Sequence, residues 1–144
     1  MSALSPRDWL LLLFLEAPKA IDRVRIQKAL FLFAKRSNAP EDQKYDFEPY
    51  NYGPFSFQIY PDLGSLVSGG ALRAESVPWM NTPLYAVTDE GSSRAREIAE
   101  IAPPKRLRLL HDMRAYVIER DFNTLLRDVY RLYPEFATRS VFRS

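Results

Sequence analysis

The sequence predicts a mainly helical domain with one small β-hairpin, and three observations predict it. Several segments carry apolar residues at helical spacing behind cap-forming residues. Residues 71–87 instead read as two short strands around a loop holding Pro, Trp and Asn. The 144 residues, 47% hydrophobic and 26% charged, have an ordinary globular composition and suffice for one core.

The first helix starts at Ser5-Pro6-Arg7-Asp8: Ser5 can cap, Pro6 suits the first helical position, and Asp8 can complete a capping box. It runs to about Glu16, stopping before Pro18, and is apolar all round, so it belongs at the centre of the core. Asp22 caps the second helix, with Ile21 and Ile26 at the staple positions. Ile26, Leu30 and Phe33 form its stripe, and Lys35 and Arg36 suit its C-terminus. After a loop, Tyr45 and Phe47 alternate with polar residues and suggest a short strand up to Tyr52. Gly53-Pro54 breaks the backbone, and a third helix is expected from about Phe55 to Ser68, ended by Gly69-Gly70.

Strands are expected over 71–77 and 83–87. Thr88 caps the next helix, with Asp89 and Glu90 in its first turn, and that helix ends near Pro103-Pro104. Two more follow, over about 105–120, lined by Leu109, Met113 and Tyr116, and about 122–133, lined by Leu125, Leu126, Val129, Tyr130 and Tyr133. Three helices followed by a hairpin is the winged form of the helix-turn-helix. The expected architecture is therefore a single domain over 1–144: a winged-helix-like core, about 5–102, plus a C-terminal helical extension, about 103–144.

Composition excludes several functions. With no cysteine there is no disulfide, thiolate nucleophile or Cys-based metal site, which fits a reducing compartment. One histidine, His111, cannot make a multi-His zinc site. The longest apolar run, Trp9 to Leu15, falls far short of the roughly 20 residues of a membrane span, so a cytoplasmic protein is expected. His111 and Asp112 are helix neighbours that point about 100° apart, so they do not form a relay. Glu41-Asp42 and Asp89-Glu90 lie at loop and helix-start positions, and no Gly-rich phosphate loop is present. The expectation is a non-enzymatic chain with no cofactor and no metal.

A DNA-reading role would use base-edge donors on the third helix and nearby cations. The candidates are Ser56 and Gln58, with Arg23, Arg25, Lys28 and Arg73. The third helix has no Lys or Arg, and the net charge is only +2, so the electrostatic footprint is weak. Lys and Arg outnumber Asp and Glu beyond Pro103, as a solvated helix surface also would. The segment 45–60 is dense in Tyr and Phe. Phe47, Phe55 and Ile59 are expected in the core. Tyr50, Tyr52, Phe57 and Tyr60 are either a second apolar layer or an aromatic surface that anchors a partner. Gly53 can take a positive φ at the turn and Pro54 fixes the next φ.

Ile26-Gln27-Lys28-Ala29-Leu30-Phe31-Leu32-Phe33 resembles the "LQK-hydrophobic" helix of the Panacea, or SocA-like, antitoxin domain. Tyr45 to Ser56, with Tyr52-Gly53-Pro54, resembles its "F-x-x-x-x-YGP" segment. Asp62-Leu63 and 129–135 resemble small bacterial and archaeal relatives of that domain. The resemblance covers roughly Arg23 to Leu72. It implies a non-enzymatic module, without cofactor, that regulates or neutralises a partner protein, usually a toxin encoded nearby. A second copy of the chain, as a homodimer, is a further partner to weigh, with nucleic acid as the alternative. Gln27 and Lys28 are either a solvent edge of the second helix or, with the Tyr-Gly-Pro turn, a polar cluster that packs the insertion onto that helix.

Overall fold

The computed structural model describes residues 4–140. Its elements run α1 (Pro6–Leu13), β1 (Ile21–Asp22), α2 (Arg23–Arg36), β2 (Glu48–Tyr50), β3 (Gly53–Phe55), α3 (Ile59–Ser68), β4 (Leu72–Glu75), β5 (Leu84–Val87), α4 (Asp89–Ile101), α5 (Pro104–Glu119) and α6 (Phe122–Leu132), with 3₁₀ turns at Glu41–Gln43 and Pro134–Ala137. β4 and β5 form an antiparallel hairpin, and β1 pairs with β5, giving the order β1-β5-β4. The succession α1-β1-α2-α3-β4-β5 is a winged helix, with β2–β3 inserted between α2 and α3 and α4–α6 appended. The protein is thus mainly helical with a small sheet.

Capping defines the helix starts. Ser5 Oγ accepts from the Asp8 amide while the Asp8 carboxylate accepts from the Ser5 amide. Asp22, Thr88 and Asp121 cap α2, α4 and α6 in the same sense. The end of α1 is set from a distance. Arg114 of α5 donates to the carbonyls of Leu13 and Leu15, both at 2.8 Å, and His111 Nε2 lies 2.9 Å from Leu12 O. These side chains bring donors to carbonyls at and just beyond the helix end, where the regular ladder runs out. Helix α1 accordingly stops at Leu13 and turns, rather than continuing to Glu16, which takes a positive φ. Arg25 closes α5 likewise, donating to Val117 O and Arg120 O at 2.9 and 2.6 Å.

The core gathers all of Trp9 to Leu15 with Ile26, Leu30, Phe31 and Phe33, and with Leu110, Val117, Leu125 and Val129. Five further expectations need correction. The strand expected over 45–52 is confined to Glu48–Tyr50, with Tyr45 and Phe47 outside it. The buried face of α5 is Leu110, Met113, Arg114 and Val117, with Leu109 and Tyr116 only half-buried, because Arg114 turns inward to cap α1. Gly53 to Phe55 is a strand, and α3 begins only at Ile59. Phe55 is half-buried rather than core, although Phe47 packs against the core and Ile59 is fully within it. The wing has a third strand, β1, just two residues long and too short to show in any sequence period.

Candidate functional site

The β2–β3 insertion is held by α2. Gln27 Nε2 donates to Ser56 O at 3.0 Å, and Gln27 Oε1 accepts from the Ser56 amide at 2.9 Å, a two-bond clamp between a side-chain amide and a backbone unit. One helix position further, Lys28 Nζ donates to Pro54 O at 3.1 Å. Both side chains are buried, Lys28 to 2% exposure. Burial pushes the Lys28 ammonium down to about 7, with distant Asp22 pulling weakly the other way.

The hairpin turns at Asn51-Tyr52 and pairs Tyr50 with Gly53 and Pro49 with Pro54. Gly53 takes φ +90°, the left-handed region a hairpin uses to recover its twist after such a turn. A Cβ there would lie 3.0 Å from Tyr130 Cε1 and 3.6 Å from Lys28 Cε. Gly53→Ala should therefore lower stability by about 1–2 kcal/mol, from backbone strain plus displacement of the Tyr130 ring. Thermal melts check this, and an unchanged melting temperature would count against the left-handed conformation. The turn is also braced by the C-terminal side: Ser140 Oγ donates to Asn51 O at 3.2 Å, and Tyr52 packs edge-on against Phe122.

Clamping the hairpin brings its aromatics against those at the start of α3. Phe55 touches Tyr50, Phe57 and Tyr60 at centroid separations of 5.0, 4.7 and 5.2 Å, and Tyr50 also meets Phe57. Phe57 is 53% exposed, Tyr52 46% and Tyr60 37%, while Tyr50 is half-buried. With α2 these residues wall a groove of about 310 Å³. Tyr50, Phe57 and Tyr60 thus share one cluster, while Tyr52 also lines the groove with its ring against Phe122. Phe55, expected in the core, is the ring that joins the others. The signal that could have found it is the strand alternation of Phe55 and Phe57 around Ser56, whose own side chain points inward and is buried.

The groove's charges come from α2. The Arg23 guanidinium lies over the Tyr60 ring at 4.5 Å, and Nη2 donates to Tyr85 OH at 3.4 Å. The Arg23 Nε donor is buried without a hydrogen-bond partner among the described residues. The six residues named for DNA contact do not form one surface. Lys28 and Ser56 are buried and bonded inside the protein. Arg25 is held by Asp22 and by the end of α5. Arg73, on the wing, is exposed and paired with Glu75 at 2.7 Å. Gln58 is exposed and bonds Asp62. His111 faces α1, Asp89 and Glu90 lie in the first turn of α4, and Glu41-Asp42 form a 3₁₀ turn.

Fold and site together define a mainly helical, winged-helix-like arrangement in which the inserted hairpin and the start of α3 form an aromatic groove against α2, with Arg23 on the α2 wall. No protein-family model matches the chain, and no curated protein matches its sequence. Among the described residues no helix is long and apolar enough to cross a membrane.

Proposed function

We propose that this chain is a non-enzymatic regulatory domain that binds a partner protein through the groove between α2 and the β2–β3 hairpin. The observation that carries this reading is the aromatic cluster that runs from the hairpin into the start of α3, with Phe57 and Tyr60 substantially exposed, Tyr52 exposed at the hairpin turn, and the hairpin held by polar side chains of α2. Apolar patches of this kind mark interaction sites on monomers, and aromatic side chains dominate interface energetics. The resemblance of 26–33 and 45–56 to the Panacea domain supports the same reading and suggests a toxin-like partner encoded nearby. A cysteine-free chain suits such work in the cytoplasm.

The test is capture of the partner from the native host. The wild-type chain should retain one protein in stoichiometric amount. Tyr52→Ala and Phe57→Ala should each weaken that complex by about 1–3 kcal/mol with the melting temperature nearly unchanged. If each substitution lowered the melting temperature and left binding intact, these rings would be structural only.

The second reading, a DNA-binding regulator, rests on the winged-helix topology itself. Against it, α3 carries neither Lys nor Arg. Any DNA affinity should therefore be non-specific and collapse between about 50 and about 200 mM salt. Tight, sequence-dependent binding that survives the higher salt would reverse the preference.

A further inference from the structure

We propose that the groove takes an acidic segment of the partner protein, with an aspartate or glutamate beside an aromatic or aliphatic residue, its carboxylate held by Arg23 and its apolar neighbour by Phe57 and Tyr60. The inference rests on the protein-docking reading above and adds the chemistry of the occupant.

Three observations carry it. The groove is electrostatically one-sided: Arg23 and Lys28 line it, and no Asp or Glu does. The nearest carboxylate on α2's own end, Asp22, is already committed to Arg25 at 2.9 Å and to the Arg25 amide. Second, Arg23 is under-used: its Nε is buried without a hydrogen-bond partner among the described residues. A buried donor left unmade costs free energy, and a carboxylate matches a guanidinium edge better than any neutral group. Third, much of the remaining wall is aromatic, with Phe55 in ring contact with Tyr50, Phe57 and Tyr60 and Tyr50 in contact with Phe57. A bare anion would leave these rings uncovered. A peptide that carries an apolar side chain next to its carboxylate covers both.

The same features disfavour a nucleic-acid strand. Backbone tracking needs a series of accessible cations along the path, and of the two basic residues that line the groove Lys28 is buried against Pro54.

The experiment pans a phage-displayed library of random short peptides against the full chain. Enriched sequences should pair Asp or Glu with Phe, Trp, Leu or Ile. In fluorescence polarisation, converting the peptide carboxylate to its amide should weaken binding at least about tenfold. Arg23→Gln should erase that discrimination, and Arg23→Lys, which keeps the charge without the planar fork, should restore part of it. Melts followed through the fluorescence of buried Trp9, in a Trp79→Phe background, confirm that each variant is folded.

Enrichment of neutral or basic peptides whose binding still needs Phe57 would overturn this inference and leave the docking reading standing. Acidic peptides that bind Arg23→Gln as well as wild type would overturn it too. Binding of oligothymidylate that is lost in Phe57→Ala would overturn both. If no peptide is enriched, the inference falls, and partner capture alone decides the docking reading.

Discussion

Gly91→Ala is expected to destabilise the protein by about 3 kcal/mol or more, the largest effect of any single methyl group here. A Cβ at Gly91 would stand 1.9 Å from Ala71 O, 2.7 Å from Ala71 C and 2.9 Å from Val87 Cγ2. Two of these three are backbone atoms, so no side-chain rotation relieves the overlap. Nor can the strand retreat cheaply. Ala71 O accepts from the Thr88 amide and from Thr88 Oγ1, both at 3.1 Å, while Thr88 Oγ1 also accepts from the Gly91 amide at 3.0 Å. The cap that starts α4 therefore locks the first turn of that helix against the entry to β4, and any shift breaks the cap. Overpacking of a well-packed site costs about 1–3 kcal/mol when side chains can adjust, and more when the backbone must move. Gly64→Ala is the internal control. It lies on the exposed side of α3 with nothing within 4 Å of the added Cβ, so it should stabilise by about 0.5–1 kcal/mol through helix propensity alone. Urea denaturation of both variants separates the two effects. A Gly91→Ala protein as stable as wild type would mean that α4 does not dock where the structure has it.

Raising the pH from about 7 towards 9 is expected to stabilise the protein, and Lys28 is the reason. Its folded-state value is lowered to about 7 by burial, against 10.5 for the ordinary group. Between these values the unfolded chain holds a proton on Lys28 that the folded chain has released. Stability rises with pH wherever the unfolded state binds more protons, at up to about 1.4 kcal/mol per pH unit for one group. Below about 7 both states are protonated, and the full cost of burying the ammonium is present. The cost is relieved as pH rises through the folded value towards the unfolded one. Above about pH 10 the buried hydroxyl of Tyr45, which burial and its 2.6 Å bond to Asp62 push well above the ordinary tyrosine range, acts in the opposite sense. The useful window is therefore 7 to 9. Lys28→Met should flatten the slope there while keeping the side chain's bulk between α2 and the hairpin. A slope that persists in Lys28→Met would assign it to other groups.

Both effects arise from residues whose sequence context is unremarkable. Gly91 sits in the first turn of an otherwise ordinary capped helix, and Lys28 is a cation on a helix otherwise rich in apolar residues. Helix order, cap residues, the wing hairpin and the central position of Trp9 to Leu15 were legible from local pattern. Each depends on short-range physics: a Ser, Thr or Asp hydroxyl or carboxylate meeting the first amides, an apolar period of about 3.6, and the intolerance of helices for Pro. The start of α3 was misread because Gly53-Pro54-Phe55 satisfies a helix-entry pattern. Pairing with β2 across the turn makes it a strand instead, and that pairing is a contact between segments.

The site divides along the same line. From the sequence came the aromatic density of 45–60, the left-handed freedom of Gly53 and the adjacency of Gln27 and Lys28. The sequence by itself thus determined the six helices and the wing hairpin, their order, and the presence of a rigid turn in an aromatic segment. Only the tertiary structure decided which rings are exposed, that Phe55 joins them, that Arg23 lies over Tyr60 with a donor unpaired, and that Arg114 turns inward to end α1. The physical reason is that polar side chains are buried wherever a distant backbone carbonyl or amide has no local partner. Those orphan groups exist only where the folded chain has brought helix ends and a hairpin edge against neighbouring elements.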